Sequence, residues 1–437
     1  MTSRFITTLA ALLLTGCARS ESTPPTLTIS GSVVGAEGEI LARQARRFMA
    51  ENPGLRVEVQ STPDDATQRH QLYVQWLNAH VGTPDILQLD VVWTPEMAAA
   101  GWLLPLDRFS PATADFFPAA LAANTWRGRL YALPWFVDVG MLYWRTDLLS
   151  RPPRSLQELT AQAQAAKAAG GPRYGIVWQG ARYEGLVTVY LEILGGFGGR
   201  ILGPGHRVEV DSPAGVAALA YLRDQISRSG VAPSEVLTWH EEETRFAFQN
   251  GNAVFLRNWP YAWPLMNQPG SRVAGRFAVA PMPAAPGGEP TAALGGAQLA
   301  INAHSRQPEA AFRLISYLTA PARMLERAEV AGQYPARRSV FADPRLAEAL
   351  GVPPEQALRV IERARPRPAT PVWSELSEIL QIQLHRALAG QIEPERAMAE
   401  AAREMEEIIG QSGLRGGMPS EASPPGPLSR RERGNEE

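Results

Sequence analysis

The sequence is poor in reactive side chains: it has one cysteine and, among 42 basic residues, a single lysine. That lysine, Lys167, lies in an alanine-rich segment and not in a G-x-x-x-x-G-K-[ST] phosphate loop, which excludes ATP hydrolysis by that route. The 44 acidic residues nearly balance the basic ones, so the chain lacks the positive field that a polyanion requires. No nucleic-acid partner is predicted.

The N-terminus has the charge and hydropathy order of an export signal. Arg4 precedes an apolar run from Phe5 to Leu14, which is too short for a permanent membrane span. The following Thr15-Gly16-Cys17 is similar to the end of a bacterial lipoprotein signal, in which the cysteine is lipidated and becomes the new N-terminus. We predict a signal peptide over residues 1–17, a lipid anchor on Cys17, and export to the periplasm or outer cell surface. An ordinary secretory signal with a chance cysteine is the alternative.

Patterns for catalysis are missing as well. None of the six histidines stands in an H-E-x-x-H pattern, and no cysteine is left for a zinc site, so neither a metal nor another cofactor is predicted. A G-x-S-x-G elbow is absent too. Glycoside hydrolysis by two carboxylates depends on their separation in space, which a sequence does not give. A non-enzymatic protein is predicted, with a surface-anchored glycoside hydrolase as the alternative.

The hydrophobic pattern after a short polar tether, residues 18–25, alternates between strand and helix. This β-α-β-α order predicts an α/β fold with a largely parallel sheet and helices on both faces. Extended, proline-containing runs at Leu133–Asp138 and Val279–Pro283 indicate crossings between two lobes. The predicted lobes are residues 26–137 plus 284–337 and residues 138–283 plus 338–412. Residues 413–437 are poor in apolar side chains and are predicted to be a disordered tail.

The segment Arg257–Trp263 places three aromatic rings, an arginine and an asparagine within seven residues. Aromatic faces can cover the C–H face of a pyranose, while the polar groups can bond its hydroxyls. Rings in such a segment can equally pack in the protein core, so both interpretations are open from these residues alone.

Several ordered motifs give the chain a specific resemblance. It resembles the extracellular solute-binding proteins of ABC sugar importers, above all the trehalose/maltose-binding proteins, from about Thr26 to Gly410. This implies a two-lobed, periplasmic-binding-protein-like α/β fold with a hinge and a ligand cleft between the lobes. Besides the aromatic segment, the matching motifs are Asp85–Trp93, Gly101–Leu106, Tyr131–Pro134, Gly175–Gly180, Tyr183–Val187 and Leu294–Gly296.

The resemblance also implies which acidic and basic residues contact the sugar. The family's acidic contact in the first loop matches Glu39, with Glu37 as a near neighbour if the loop register differs. An arginine at the pocket matches Arg69, and two further acids match Asp90, at the end of a strand, and Asp138, at the lobe junction. From the residues alone, Asp90 could instead cap the following helix.

The remaining contacts implied by the resemblance lie in the second half of the chain. Trp259 and Tyr261 match a stacking and hydroxyl-bonding pair, with Trp263 as a further candidate, and Arg367 matches an arginine that reaches in from the far end. Without the resemblance, Arg367 could be a solvated charge.

Two positions depart from the family's pattern. Ala297 stands after Leu-Gly-Gly, beside Gly296, where a pocket tryptophan is expected, and Phe136 stands where a tyrosine is expected. Losing an indole opens space in the pocket, which we expect Trp135 or Trp263 to refill unless a longer or differently linked sugar occupies it.

Taken together, the sequence predicts a monomeric lipoprotein that captures an α-linked disaccharide, or a short oligosaccharide, of the trehalose, maltose or sucrose type. Its lobes would close about the sugar, and the closed form would dock on the permease subunits of an ABC transporter. Binding of a non-sugar solute fits the fold equally well, because fold alone does not fix function.

Overall fold

The computed structural model describes residues 25–414. Its strands are β1 Thr26–Gly31, β2 Arg56–Ser61, β3 Ile86–Asp90, β4 Thr125–Trp126, β5 Arg129–Leu130, β6 Ala132–Val139, β7 Met141–Arg145, β8 Tyr174–Val177, β9 Ala253–Asn258, β10 Phe277–Ala280, β11 Leu294–Ile301 and β12 Tyr334–Pro335. Its α-helices are α1 Glu37–Glu51, α2 Ala66–Asn78, α3 Thr94–Ala99, α4 Pro118–Ala123, α5 Leu156–Ala168, α6 Glu184–Gly196, α7 Pro213–Ser227, α8 Glu241–Gln249, α9 Ala262–Met266, α10 Pro308–Leu318, α11 Pro321–Ala331, α12 Arg345–Leu350, α13 Pro354–Arg363, α14 Trp373–Leu388 and α15 Pro394–Gln411. The predicted signal peptide with Cys17, the tether up to residue 24 and the tail from residue 415 lie outside the described residues.

Two mixed sheets form the centres of two lobes. In lobe 1 the strand order is β12-β6-β11-β3-β1-β2, and in lobe 2 it is β10-β7-β9-β8. Only β1 with β2, β1 with β3 and β8 with β9 are parallel, while β11 runs antiparallel to both β3 and β6. The two-lobed α/β prediction is confirmed, but the expectation of largely parallel sheets is wrong, because strands returning from one lobe enter the sheet of the other in reverse.

Local sequence signals explain where several helices begin. Asp65, Ser155 and Ser212 each accept a hydrogen bond from a backbone N–H in the first turn of α2, α5 and α7. Such caps satisfy donors that the helix itself leaves unpaired. Helix α6 is buried along its whole length because α7 and α14 pack against it in lobe 2. Among residues 25–414, none of the helices has the length and hydropathy needed to cross a membrane.

The connections between the lobes meet side by side. The chain leaves lobe 1 at Gly140, returns through residues 281–293 and leaves again through residues 364–372. The N–H of Gly140 donates to the carbonyl of Ala293, at 3.3 Å, and the N–H of Leu294 donates to the carbonyl of Arg365, at 2.9 Å. We call this bonded set of three connectors, Gly140, Ala292–Leu294 and Arg365, the hinge.

One predicted lobe boundary needs correction. The sequence predicts residues 338–412 in lobe 2, yet α12 and α13 pack against α11 and β6 of lobe 1, and only α14 and α15 pack against α6 and α7. The third crossing therefore falls after α13. The apolar residues of α12 and α13 have the spacing of any amphipathic helix. This spacing shows that each helix covers a core but not which lobe that core belongs to.

Candidate functional site

A cavity lies between the two lobes, next to the hinge. Ten of the twelve residues singled out from sequence as ligand contacts line it: Glu37, Arg69, Asp90, Phe136, Asp138, Trp259, Tyr261, Gly296, Ala297 and Arg367. The other two, Glu39 and Trp263, do not.

The first loop presents Glu37, and not Glu39, to the cavity. Helix α1 begins at Glu37, and two residues along a helix turn a side chain by about 200°. Glu39 therefore points to solvent, where it pairs with Arg43 at 2.7 Å. Glu37 is buried and accepts hydrogen bonds from the side-chain amides of Gln88, at 3.2 Å, and Gln333, at 2.6 Å.

Two rings of the aromatic segment form a wall of the cavity. Trp259 follows β9 and is half-buried, and its indole Nε1 donates to Oε1 of Glu241 at 3.3 Å. Tyr261 is buried, and its hydroxyl donates to Glu242 at 2.8 Å. Because that hydroxyl already has an acceptor, Tyr261 presents mainly its ring to the cavity.

Other members of the same segment have structural positions. Arg257 and Asn258 end β9 as fully buried residues, so they do not reach a ligand's hydroxyls as expected from sequence. Trp263 packs on Phe277, with ring centroids 4.8 Å apart, and against Gly351. Trp135 is buried beneath the guanidinium of Arg327, so neither tryptophan refills the space beside Ala297.

A buried three-residue ion network, Asp90–Arg367–Glu184, closes one end of the cavity. Arg367 donates from Nη2 to Asp90, at 2.6 Å, and from Nη1 to Glu184, at 2.7 Å. Asp90 ends β3 in lobe 1 and Glu184 begins α6 in lobe 2, so Arg367 joins the lobes. Glu184 also accepts from Trp373 Nε1, at 3.1 Å, and from the hydroxyl of Ser377.

The carboxyl group of Asp138 is the least satisfied acid of the cavity. Its Oδ1 is buried without a hydrogen-bond partner among the described residues. Burial, reinforced by the nearby Glu37, raises the pKa of Asp138 well above its usual range, although Arg327 opposes the shift. A ligand hydroxyl would supply the donor that this oxygen lacks.

Arg69, on α2, is held beside the cavity by contacts with neighbouring residues. Its Nη1 donates to the carbonyls of Pro63, at 2.8 Å, and Asp64, at 3.2 Å, while the guanidinium lies over the ring of Trp93. Its Nε is buried without a partner among the described residues. One donor of Arg69 is thus free for a ligand acceptor.

Tyr183 and Glu241 line the cavity but were missed as contacts from sequence. The Tyr183 hydroxyl is buried beside the Glu241 carboxylate, and burial together with that carboxylate raises the pKa of Tyr183 well above the usual range. Burial also raises the pKa of Glu241. Tyr183 stands immediately before α6, which follows β8, and helix starts that follow strands are common ligand sites, so this signal could have identified Tyr183. Glu241 begins α8, which follows another helix, so that signal does not extend to it.

Gly296 fits its position for a backbone reason. Its φ is +114°, a conformation that side chains disfavour, and a Cβ there would lie 2.3 Å from the carbonyl oxygen of Phe136. The pairing of β11 with β6 shifts register one residue later, between Ala297 and Gln298. The irregular strand brings Gly295, Gly296 and Ala297 to the cavity wall.

Acidic side chains outnumber basic ones along the cavity. Six acids line it, namely Glu37, Asp64, Asp90, Asp138, Glu184 and Glu241, against the two arginines Arg69 and Arg367. Arg367 is already bonded to two of these acids. Within residues 25–414, no three His, Cys, Asp or Glu side chains are grouped as ligands for a metal ion.

The fold and this cavity define a class of protein. Residues 33–324 match the family model of the bacterial extracellular solute-binding proteins. The chain belongs to that family.

Its relatives agree with this assignment. The chain is 37% identical to a probable ABC transporter-binding protein of Deinococcus radiodurans over 83% of this chain and 88% of the relative. Among solved structures, it is similar to maltose-bound T. maritima MalE3, with a TM-score of 0.84 and 41% identity over 88% of this chain and all of that one. It is also similar to a solute-binding protein of Thermotoga lettingae bound to α-D-tagatose, with a TM-score of 0.81 and 27% identity, covering 88% and 100% of the two chains. The chain is therefore a bacterial extracellular solute-binding protein, and its fold is similar to that of MalE3.

Proposed function

We propose that this protein captures an α-linked disaccharide of the trehalose, maltose or sucrose type and delivers it to a membrane permease without hydrolysing it. One observation carries the proposal: aromatic rings and unsatisfied polar atoms converge on one cavity between two lobes. The rings, Phe136, Tyr183, Trp259 and Tyr261, suit the C–H faces of pyranoses. The 41% identical relative was solved with maltose bound, which supports this ligand class.

Charge narrows the ligand further. With Arg367 occupied by Asp90 and Glu184, an anionic solute in this low-dielectric cavity would face the acid Glu37 and would find Arg69 as the one other arginine of the lining. Neutral sugars, whose hydroxyls donate to carboxylates, avoid this cost. We therefore infer that uronates, aldonates and sugar phosphates are excluded.

Isothermal titration of the mature protein tests the proposal. The panel contains trehalose, maltose, sucrose, longer maltodextrins and, as a charged match, the aldonic acid of maltose. We expect heat from at least one neutral disaccharide, little from the aldonate, and no monosaccharide in the recovered ligand. Absence of heat with every oligosaccharide would overturn the proposal, and release of monosaccharide beyond one equivalent would instead indicate a glycoside hydrolase. A thermal-shift screen of polyols and peptides would detect a non-sugar ligand.

Anchoring completes the proposed function. An acylated Cys17, at the end of the proposed signal, would hold the monomeric protein at the membrane surface near its permease. Mass spectrometry of the protein purified from membranes is expected to find Cys17 as the acylated N-terminus, while a Cys17→Ala variant is expected to be released.

A rim contact between the lobes predicts a pH dependence. His240, at the start of α8, faces Asp65, at the start of α2, with Nε2 and Oδ2 3.3 Å apart. The hydrogen bond to Asp65 raises the pKa of His240, with Glu241 and Glu243 contributing to the shift. Burial opposes the shift of Asp65, but the hydrogen bond from His240 still lowers its pKa below the usual 3.8.

The sign follows from these shifts. The ion pair between His240 and Asp65 is fully formed below the usual pKa of histidine and is lost as the pH rises through the raised pKa of His240. At acid pH it is lost only when the pH falls through the lowered pKa of Asp65. Because His240 is partly exposed, we expect affinity to fall by only about twofold between pH 5 and pH 8. Titrations across this range measure it, and a His240→Gln variant should show a flatter profile. An equal pH dependence in both proteins would contradict the assignment.

A further inference from the structure

A buried ion pair lies beneath the aromatic wall and outside the cavity lining. Arg257 and Glu192 are both about 1% exposed. The guanidinium donates from Nε to Oε2 of Glu192 at 2.9 Å, makes a second bond from Nη2 to Oε1, and donates from Nη1 to Gln179 at 3.0 Å. These hydrogen bonds fix the guanidinium of Arg257, and their acceptors lie on the side away from the cavity.

The same pair touches two of the three hinge connectors. Oε1 of Glu192 accepts the backbone N–H of Ala293 at 3.2 Å. A Cβ atom placed on Gly140 would lie 1.7 Å from that oxygen and 2.7 Å from Nη2 of Arg257. Glycine at this connector thus allows the ion pair to pack directly against the backbone that must bend when the lobes move.

On its other side, the pair supports Trp259. The guanidinium carbon of Arg257 lies 4.0 Å from the centroid of the Trp259 ring. The indole is also fixed at Nε1 by Glu241, at 3.3 Å, and a Cβ on Gly295 would lie 3.2 Å from its Cζ3. The ring is therefore held on one face and along two edges, while the residue still borders the cavity.

Stability alone does not explain this arrangement. Exchanging a buried ion pair for apolar side chains of similar volume is often neutral or stabilising, so such a pair is weak evidence for a stabilising role. A cationic face against an indole, in contrast, orients that ring and strengthens as water is excluded. The contacts of Arg257 run from the hinge, through Glu192, to the one tryptophan that lines the cavity among the described residues.

We propose that Arg257, locked by Glu192, is a positioning residue that fixes the sugar-facing indole of Trp259 and links its orientation to the hinge. This rests on the proposed function for the part that concerns sugar affinity. Arg257 does not touch the ligand, so its effect on binding must pass through Trp259.

A double-mutant cycle isolates that dependence. Removing Arg257 alone would strand a buried carboxylate, so the test variant is the neutral pair Arg257→Gln with Glu192→Gln, which preserves hydrogen bonding. We expect it to weaken binding of the disaccharide that binds best in the titration panel about tenfold in the presence of Trp259. In a Trp259→Ala background, the same pair of substitutions should change affinity less than twofold.

The matched control is another bidentate pair in lobe 2. Arg145 bonds Asp147 at 2.7 and 2.6 Å, but it does not contact Trp259. Arg145→Gln with Asp147→Asn is expected to lower the melting temperature and leave affinity unchanged. If the Arg257 and Glu192 substitutions weaken binding equally with and without Trp259, their role is structural and the proposal is wrong.

A ligand-free readout separates this proposal from the proposed function. In protein labelled with 5-fluorotryptophan, the ¹⁹F resonance of Trp259 is identified by its absence from a Trp259→Phe variant. The neutral pair should shift or broaden this resonance, and the Arg145 control should not. An unchanged resonance overturns the positioning role. A shifted resonance in a protein that binds no sugar would retain the positioning role and refute only the sugar-binding function.

Discussion

Replacing Trp259 with alanine is expected to weaken disaccharide binding by roughly five- to 150-fold, which corresponds to the loss of about 1 to 3 kcal/mol of ring burial and stacking. The effect is large because the other candidate tryptophans, Trp135 and Trp263, do not line the cavity, and Ala297 provides no ring in their place. Isothermal titration against the best neutral disaccharide measures the loss.

Trp263→Ala is the matched control for this experiment. Trp263 lies in the same segment but packs on Phe277 and Gly351. Its removal is expected to leave a cavity in the core, and so to lower the melting temperature with little change in affinity. If Trp263→Ala weakens binding as much as Trp259→Ala does, the cavity wall has been assigned to the wrong ring.

Replacing Arg367 with methionine is expected to reduce both stability and affinity. Arg367 is the shared partner of Asp90 and Glu184, which belong to different lobes. Removing one member of a buried ion network costs about 3 to 5 kcal/mol, because the remaining charges stay buried without compensation. The acids of two facing lobes would then repel each other wherever the lobes meet, which disfavours the ligand-bound arrangement.

Calorimetric unfolding and ligand titration together test this expectation. We expect the melting temperature to fall by several degrees and affinity to fall at least tenfold. Arg363→Ala, at an exposed position on α13, is the control and should change neither. Adding Asp90→Asn to Arg367→Met should recover part of the stability, since one unpaired charge is removed. No recovery, together with wild-type affinity in the single variant, would show that the network is not shared between the lobes.

The sequence predicted individual elements better than their partners. The predicted β-α-β-α order after the tether is confirmed, because β1, α1, β2, α2 and β3 follow one another along the chain. The direction of β11 in the sheet of lobe 1 cannot be predicted from these patterns. It is set by the path of the chain through lobe 2, which comes before β11 in the sequence. Alternation along a strand is the same in parallel and antiparallel pairs.

For the site residues too, the sequence predicted the residues better than their contacts. The resemblance indicated Trp259 and Arg367, which line the cavity, but in the first loop it matched Glu39, whereas the alternative Glu37 is the acid that lines the cavity. Arg257 stands two residues before Trp259 in sequence, yet it is buried, with its guanidinium bonded to Glu192 and Gln179. The partners that hold Arg257 come from distant parts of the chain, so a local cluster of suitable side chains overstates the number that can meet one ligand.

The three bonded connectors of the hinge have a mechanical consequence. Strands that are hydrogen-bonded side by side bend together easily, but twisting or sliding one past another would break the bonds of Ala293, Leu294 and Arg365. We therefore expect the lobes to open by rotation about a single axis at the hinge. A solute would then enter and leave through the gap that this rotation widens. A substitution at Gly140 would then change the energy difference between the open and closed arrangements of the lobes, and with it the capture rate, although Gly140 itself does not line the cavity.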